Sequence, residues 1–350
     1  MKNKNNFKIN DKDLGVDHRC FVIAEVGLAH DGSLGMAHSY IDAIGKLGVD
    51  AVKFQTHISE HESSNQEKFR VNVFPQDSSR RAYWDRTSFT KDQWLSLKNH
   101  ADEKGMIFLS SPFSIEAVQL LREIGVNAWK IASGETNNHL LLNEICKKEE
   151  PVFLSSGMSY LKELKESLGI IQSSSNPVLL MQCTNRYPCL PEKWGLNMIN
   201  EYQKLFDIPI GFSDHSGEIS SSLAAVTLGA KAIEVHVTWH KESFGPDVKA
   251  SLTLDQLGEM IKGIRNIEKA IQNPVDKDRV AIEMKDMRQL FTKGLFAASD
   301  IPKNSIIDIE HINSRKPCLG IPVQKYKEVL GKKTNREIKK GESLEWEFLS

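Results

Sequence analysis

Two histidines and two lysines carry the first chemical signal in this sequence. His215 lies in the run GFSDHS and His236 in IEVHV. If these runs are neighbouring strands, their imidazoles stand close together with coordination positions left for water and a substrate oxygen. Such a pair suits a divalent ion acting as a Lewis acid. Glu25, in FVIAEVG, can orient a water on that ion. Lys53 and Lys130 point inward from otherwise apolar segments. A buried, unpaired ammonium is costly, so the two lysines predict a bound anion.

Ser111, Ser133, Ser155 and Ser213 close four of the apolar runs. Hydroxyls and backbone amides around two ammonium groups describe a phosphate or carboxylate pocket. Any one of these serines alone reads equally as a helix cap. Lys130 also admits a Schiff base with a carbonyl substrate, since two close lysines would lower each other's pKa. Glu135 in KIASGE, Asn185 and Tyr187 in CTNRYP, and Asp247 in GPDVKAS can hold sugar hydroxyls and an amide. Taken singly, they are a helix-start Glu, a turn Asn and a turn Asp beside Pro246.

The elements that must position these groups are legible as alternation. Apolar runs begin at Phe21, Asp50, Met106, Ala128, Pro151, Val178, Ile208 and Ala232, and helical periods such as SIEAVQLLREIG fall between them. Eight β/α units predict a parallel (β/α)8 TIM barrel, an α/β fold, over residues 1–272. In the second run Ala51, Lys53 and Gln55 share one face and Val52 and Phe54 the other. In the eighth, Glu234 and His236 alternate with Ile233, Val235 and Val237. Inner faces thus turn polar towards the C-terminal strand ends, where barrel enzymes keep their chemistry. No G-x-G-x-x-G follows the first run, which speaks against a dinucleotide site.

The segment from His57 to about Phe89 shows no clear period and reads as a cover over the barrel mouth or, equally, as a solvated insertion. Residues 273–287 are expected to be a polar linker. Residues 288–350 contain an internal repeat, with the stretch Ile301–Ile312 parallel to Ile338–Leu349, which predicts a small pseudo-symmetric domain.

Composition sets the outer limits. The 350 residues carry a formal net charge of −1, which gives no field to gather nucleic acid or coat an acidic membrane. No apolar run is long enough to span a bilayer. The start of the chain lacks a secretory apolar stretch, and its five cysteines lack C-x-x-C spacing. Free thiols in a reducing cytoplasm are the expectation.

Taken in order, AEVGLAHDG, AVKFQT, FLSSPFS, WKIASGE, LSSGM, CTNRYP, GFSDHS, EVHVT and GPDVKAS resemble the sialic acid (nonulosonate) synthases. The tail is similar to their antifreeze-like, or SAF, domain, and the resemblance runs from Phe21 to Leu349. It implies condensation of phosphoenolpyruvate with an open-chain N-acetylhexosamine to give a nonulosonic acid and phosphate. The alternatives are a related condensation on a different aldose and the Schiff-base route. By resemblance, Lys53, Ser111, Lys130, Ser133, Ser155, Asn185 and Ser213 would hold phosphoenolpyruvate. His215 and His236 would hold Mn2+ or Mg2+, while Gln55, Glu135, Tyr187 and Asp247 would contact the sugar. The resemblance also implies a domain-swapped homodimer in which a tail arginine reaches the partner's sugar. Here Arg315-Lys316-Pro317 stands where Arg-Pro-Gly is usual, which makes Lys316 the counterpart, with Arg315 beside it. Two further departures are Ala29-His30-Asp31-Gly32 for N-H-N-G, and Ser111 for a threonine.

Overall fold

The computed structural model describes residues 5–64, 66–69 and 76–350, which form two compact units, Met1–Gln272 and Asn273–Ser350. In the first unit the eight apolar runs become strands. They are β1 (Phe21–Gly27), β2 (Ala51–Thr56), β3 (Ile107–Pro112) and β4 (Trp129–Ile131), followed by β5 (Val152–Ser155), β6 (Val178–Cys183), β7 (Ile210–Asp214) and β8 (Ala232–Thr238). They pair in parallel in the order β3-β2-β1-β8-β7-β6-β5-β4, a barrel closed except between β3 and β4.

The intervening helices form because their apolar residues recur at helical spacing and because their first turns are capped. The helix Leu34–Gly45 buries Ala37, Tyr40, Ile41 and Ile44, and the Ser33 side chain accepts from the Met36 amide. Ser114 does the same for Ala117 at the start of Ile115–Glu123. These helices cover the outer strand faces, where Val22, Ala24, Val52, Phe54 and Phe108 join one apolar shell.

The barrel interior is divided along its axis. Phe21, Ile23, Ala51, Ile107, Leu109, Phe153, Leu179 and Ala232 fill its lower half. A hairpin of Asn6–Ile9 and Lys12–Gly15 adds Ile9 and Leu14 to this floor. Fully burying a side chain of this size stabilises by roughly 1.5–3 kcal/mol. Gly211 is required here, since a Cβ would stand 2.8 Å from Leu179 Cδ2 and 2.9 Å from the Ala232 carbonyl. Two residues further along each strand the same face turns polar, as in Phe21-Ile23-Glu25, Ala51-Lys53-Gln55, Ile107-Leu109-Ser111 and Ala232-Glu234-His236. Strand alternation therefore puts the floor and the polar set on one inner surface.

Two stretches without a clear period in the sequence contain short helices. The segment after β2 contains the helices Ser59–Glu62 and Arg80–Thr87, the latter capped by Ser79. Its aperiodic appearance came from their shortness; residues 65 and 70–75 of this stretch lie outside the described residues. The stretch read as a linker is mostly helical, as Lys277–Glu283 and then Lys285–Phe291, with Asp276 capping the first.

In the second unit, Gly294–Ala297 pairs antiparallel with Ile312–Arg315. The first residues of the two repeat copies bond to each other, Ile301 N to Ile338 O at 2.8 Å and Ile338 N to Ile301 O at 2.9 Å. Ile307 and Leu344, equivalent in the repeat, are both in the unit's core. Glu310 and Glu347 occupy matching short turns, Ile309–His311 and Trp346–Phe348.

Candidate active site

Every site residue selected from the sequence except Lys316 lines one cavity of about 400 Å³ at the C-terminal end of the barrel strands. The segment after β2 contributes Glu62, Glu67, Phe69, Arg80, Tyr83 and Trp84 to its wall.

The two lysines are not unpaired, contrary to the sequence expectation. Lys53 Nζ pairs with Glu25 Oε2 and lies 3.8 Å from Glu234 Oε2. Lys130 Nζ is 3.1 Å from Glu234 Oε1 and donates to Ser155 Oγ at 2.6 Å. Glu234 is 2% exposed and also accepts from Ser213 Oγ at 2.9 Å. One buried carboxylate therefore binds both ammonium groups, and sequence reading did not select it. The available signal was its position two residues before His236, on the strand face that carries the lysines.

Charge pairing also decides protonation. Burial opposes the Lys53 ammonium, but Glu234 and Glu25 outweigh it and the Lys53 pKa is raised. The expected mutual lowering of the lysines is therefore reversed at Lys53. Burial likewise opposes ionisation of Glu25, yet Lys53 and His236 hold its carboxyl well below the usual range. Glu135 goes the other way: burial raises its pKa, and Asn138 Nδ2 donates to its Oε2 at 2.7 Å.

None of the four selected serines caps a helix through its side chain. Ser155 and Ser213 serve Lys130 and Glu234, and Ser133 Oγ donates to Cys183 Sγ at 3.4 Å. Ser111 is buried, and its Oγ has no hydrogen-bond partner among the described residues. A buried hydroxyl left without a partner costs about 1–3 kcal/mol, so Ser111 marks a place for a polar ligand.

The histidines meet as expected, with ring centroids 5.4 Å apart. Tyr187 Oη is 2.8 Å from His215 Nε2. His236 stands between Glu25 and Asp247, with Nε2 and Nδ1 each 3.8 Å from a carboxylate oxygen. Burial first, and His236 second, push the His215 pKa well below its ordinary value, so it offers a neutral nitrogen. Among the described residues no group of three or more His, Cys, Asp or Glu is arranged to hold a metal. The donor set fits an ion bound by two imidazoles whose remaining positions go to water and substrate.

Gln55 Nε2 donates to Glu25 Oε1 at 2.7 Å. Asn185 Nδ2 contacts Met158 Sδ at 3.1 Å on the cavity wall. Lys316 belongs to the second unit, where its ammonium lies 5.5 Å from the centre of the Phe291 ring. That contact gives it a role inside its own unit, which sequence reading had not found. Among the described residues no helix is long and apolar enough to cross a membrane, and all five cysteines are free.

Comparison with known proteins agrees with this geometry. Residues 40–276 match the NeuB family and residues 292–350 the SAF domain. The chain is 33% identical to human (Homo sapiens) N-acetylneuraminate-9-phosphate synthase, over 95% of this chain and 93% of that protein. It is also 33% identical to N,N'-diacetyllegionaminic acid synthase of Campylobacter jejuni, over 93% and 99%. Among solved structures it resembles an N-acetylneuraminic acid (sialic acid) synthetase from Leptospira borgpetersenii in complex with citrate. The TM-score is 0.71 at 29% identity, with 80% of this chain and 96% of that one covered.

Proposed function

The chain belongs to the NeuB family, and from that premise we propose that it condenses phosphoenolpyruvate with an open-chain N-acetylhexosamine or a related amino sugar. The products are a nonulosonic, sialic-type acid and inorganic phosphate. The observation that carries this reading is the pairing of two buried ammonium groups and an unpartnered Ser111 hydroxyl with a neutral histidine, all in one cavity.

In this reading Lys53 and Lys130 neutralise the phosphate and carboxylate of phosphoenolpyruvate. Ser111, Ser133, Ser155, Asn185 and Ser213 line the pocket around them. Gln55, Glu135, Tyr187 and Asp247 hold the sugar with its aldehyde at the histidine pair. The enol C3 attacks the aldehyde carbon, a C–C bond forms, and the aldehyde oxygen takes a proton to become a hydroxyl. C2 is left cationic and water adds to it, releasing one proton that balances the one taken by the aldehyde oxygen, while the other leaves with phosphate as the ketone forms. The C2–O bond to phosphate then breaks, leaving the ketone. Glu25 orients water beside the histidines. Mn2+ or Mg2+ held by His215 and His236 would polarise the aldehyde oxygen. Lys130, held by Glu234 and Ser155, acts as a cation and forms no Schiff base.

The reading extends to a homodimer in which the Arg315-Lys316 pair of each tail completes the partner's sugar site. Support comes from exposed apolar side chains on the two short helices of the second unit, Ile282, Met287, Leu290 and Phe291. A cytoplasmic setting agrees with the five free thiols. The test is incubation with phosphoenolpyruvate, Mn2+ and a panel of hexosamines, following phosphate release and product mass. Chelation by EDTA should stop the reaction and Mn2+ should restore it. Turnover in chelator, with borohydride trapping substrate on Lys130, would return the Schiff-base route.

A further inference from the structure

His57 follows β2 directly, and its side chain is 5% exposed. Its ring is clamped face to face between Trp84 of the helix Arg80–Thr87 and Phe113, which follows β3. The centroids are 3.8 Å apart at 7° on one side and 4.3 Å apart at 12° on the other. Both ring nitrogens are engaged. Nδ1 is 2.7 Å from Glu62 Oε1, on the short helix Ser59–Glu62, and Nε2 is 3.3 Å from Gln55 Oε1. Gln55 in turn donates its amide to Glu25, and Glu25 pairs with Lys53 and lies beside His236. A continuous chain, Glu62–His57–Gln55–Glu25, joins the segment over the mouth to the groups at its centre.

Hydrogen counting gives this chain a direction. The Glu25 carboxylate can only accept, so the Gln55 end facing it is the NH2. Gln55 Oε1 therefore faces His57, and His57 Nε2 must carry the donated hydrogen. Without that donor Gln55 Oε1 loses its partner, and the amide is held from one end only, by Glu25. Rotation of the amide would set an oxygen against a carboxylate. Glu62 fixes the ring from its other edge, and Trp84 and Phe113 fix its plane.

We propose that His57 is a positioning residue which, held by Glu62 and Trp84 of the helices Ser59–Glu62 and Arg80–Thr87, locks Gln55 and so aligns Glu25 for the reaction. The inference rests on the proposed condensation, and it assigns the mouth segment a second task besides enclosing the acceptor. Alignment of Glu25 is coupled to the packing of Glu62 and Trp84, on those two helices, against His57.

The experiment compares His57→Phe, His57→Gln and Trp84→Leu in the full-length chain with Mn2+, phosphoenolpyruvate and the accepted hexosamine. His57→Phe keeps a ring in the clamp but removes both nitrogens. It should lower kcat by about 10–100-fold, the usual cost of removing an outer partner of a reacting group, with acceptor KM changed far less. His57→Gln restores a donor towards Gln55 and should recover part of that loss. Trp84→Leu loosens the segment and should raise acceptor KM as well. A substrate-free readout is the imidazole nitrogen NMR spectrum, in which a solvent-protected proton on His57 Nε2 should be present and should vanish in Gln55→Leu. Unchanged kcat in His57→Phe, or equal losses in His57→Phe and His57→Gln, would overturn the proposal. So would an Nε2 without a proton. A wild-type chain inactive on every hexosamine, yet showing the protected proton, would refute the condensation reading and leave the linkage to Gln55 supported.

Discussion

The two halves of the barrel interior are built on the same strands by opposite rules. The lower half holds Phe21, Ile23, Leu109, Phe153 and Leu179 against the N-terminal hairpin, and each contact stabilises on its own terms. The upper half, two residues further along, buries Glu25, Lys53, Lys130, Glu234, His215 and His236. Charges so placed lose hydration that pairing only partly restores, so a set of this kind adds little to stability. In the proposed reading its composition is explained by ligands whose phosphate, carboxylate and carbonyl groups it complements, so that the floor supports the fold and the rim the reaction.

Single substitutions should separate the two. Phe153→Ala, in the floor and stacked on Phe21 at 5.8 Å, should cost about 3–5 kcal/mol of unfolding free energy. The kcat of the fraction that remains folded should stay close to wild type. Denaturant unfolding and active-site titration check both parts. In the rim, Lys53→Ala should weaken phosphoenolpyruvate binding by about 1.5–3 kcal/mol, measured by calorimetry. His236→Ala should instead lose turnover, with phosphoenolpyruvate affinity largely kept. Equal weakening of binding by both, with turnover spared, would mean the two roles are wrongly assigned.

Acid should act through the rim and its neighbours. His30, just beyond β1, is pushed down to about 3 by burial and by neighbouring His57, and His215 also lies well below its ordinary value. Between the ordinary value of 6.5 and the folded one, the unfolded chain binds a proton that the folded chain refuses. Stability should therefore fall as pH drops below 6.5, by about 1.4 kcal/mol per pH unit for each such histidine. For His30 the window extends down to about 3. Glu25, held low, keeps its contribution above the ordinary carboxylate range and loses it only as pH falls through its folded value. Melting curves from pH 8 to pH 4 should show this slope, and it should be shallower in His30→Gln. A flat profile would mean that these imidazoles titrate freely in the folded protein.

The smallest expected signal concerns the tail. A Lys130→Ala chain and an Arg315→Ala/Lys316→Ala chain, each weak alone, should partly recover activity when mixed. No recovery, with mixed dimers proven by mass spectrometry, would confine each tail to its own barrel or to no site.

Much of this division could be read in the sequence because strand alternation is local. Ala51-Lys53-Gln55 declares an inner face without any knowledge of its neighbours. The histidine pair was legible for the same reason, once its two runs were taken as adjacent strands. Glu234 was passed over because its importance lies across the barrel, in lysines more than a hundred residues away on β4 and further away on β2. The His57 clamp was hidden for a related reason. Trp84 and Phe113 carry no periodic signal, and only tertiary packing brings them to opposite faces of one ring. Lys316 is a residue given a distant task by resemblance, and its contact with Phe291 inside its own unit is one that sequence spacing does not announce.

The most direct measurement follows one oxygen atom. Phosphoenolpyruvate labelled with 18O in the bridging C–O–P position is turned over with Mn2+ and the accepted hexosamine. If the rim holds the enol for attack on the aldehyde and water then adds at C2, the label leaves with phosphate. The product mass then corresponds to the unlabelled nonulosonic acid. Label retained in the keto acid, or phosphate released without a new C–C bond, would contradict the assignment of Lys53, Lys130 and the histidine pair to one condensation site.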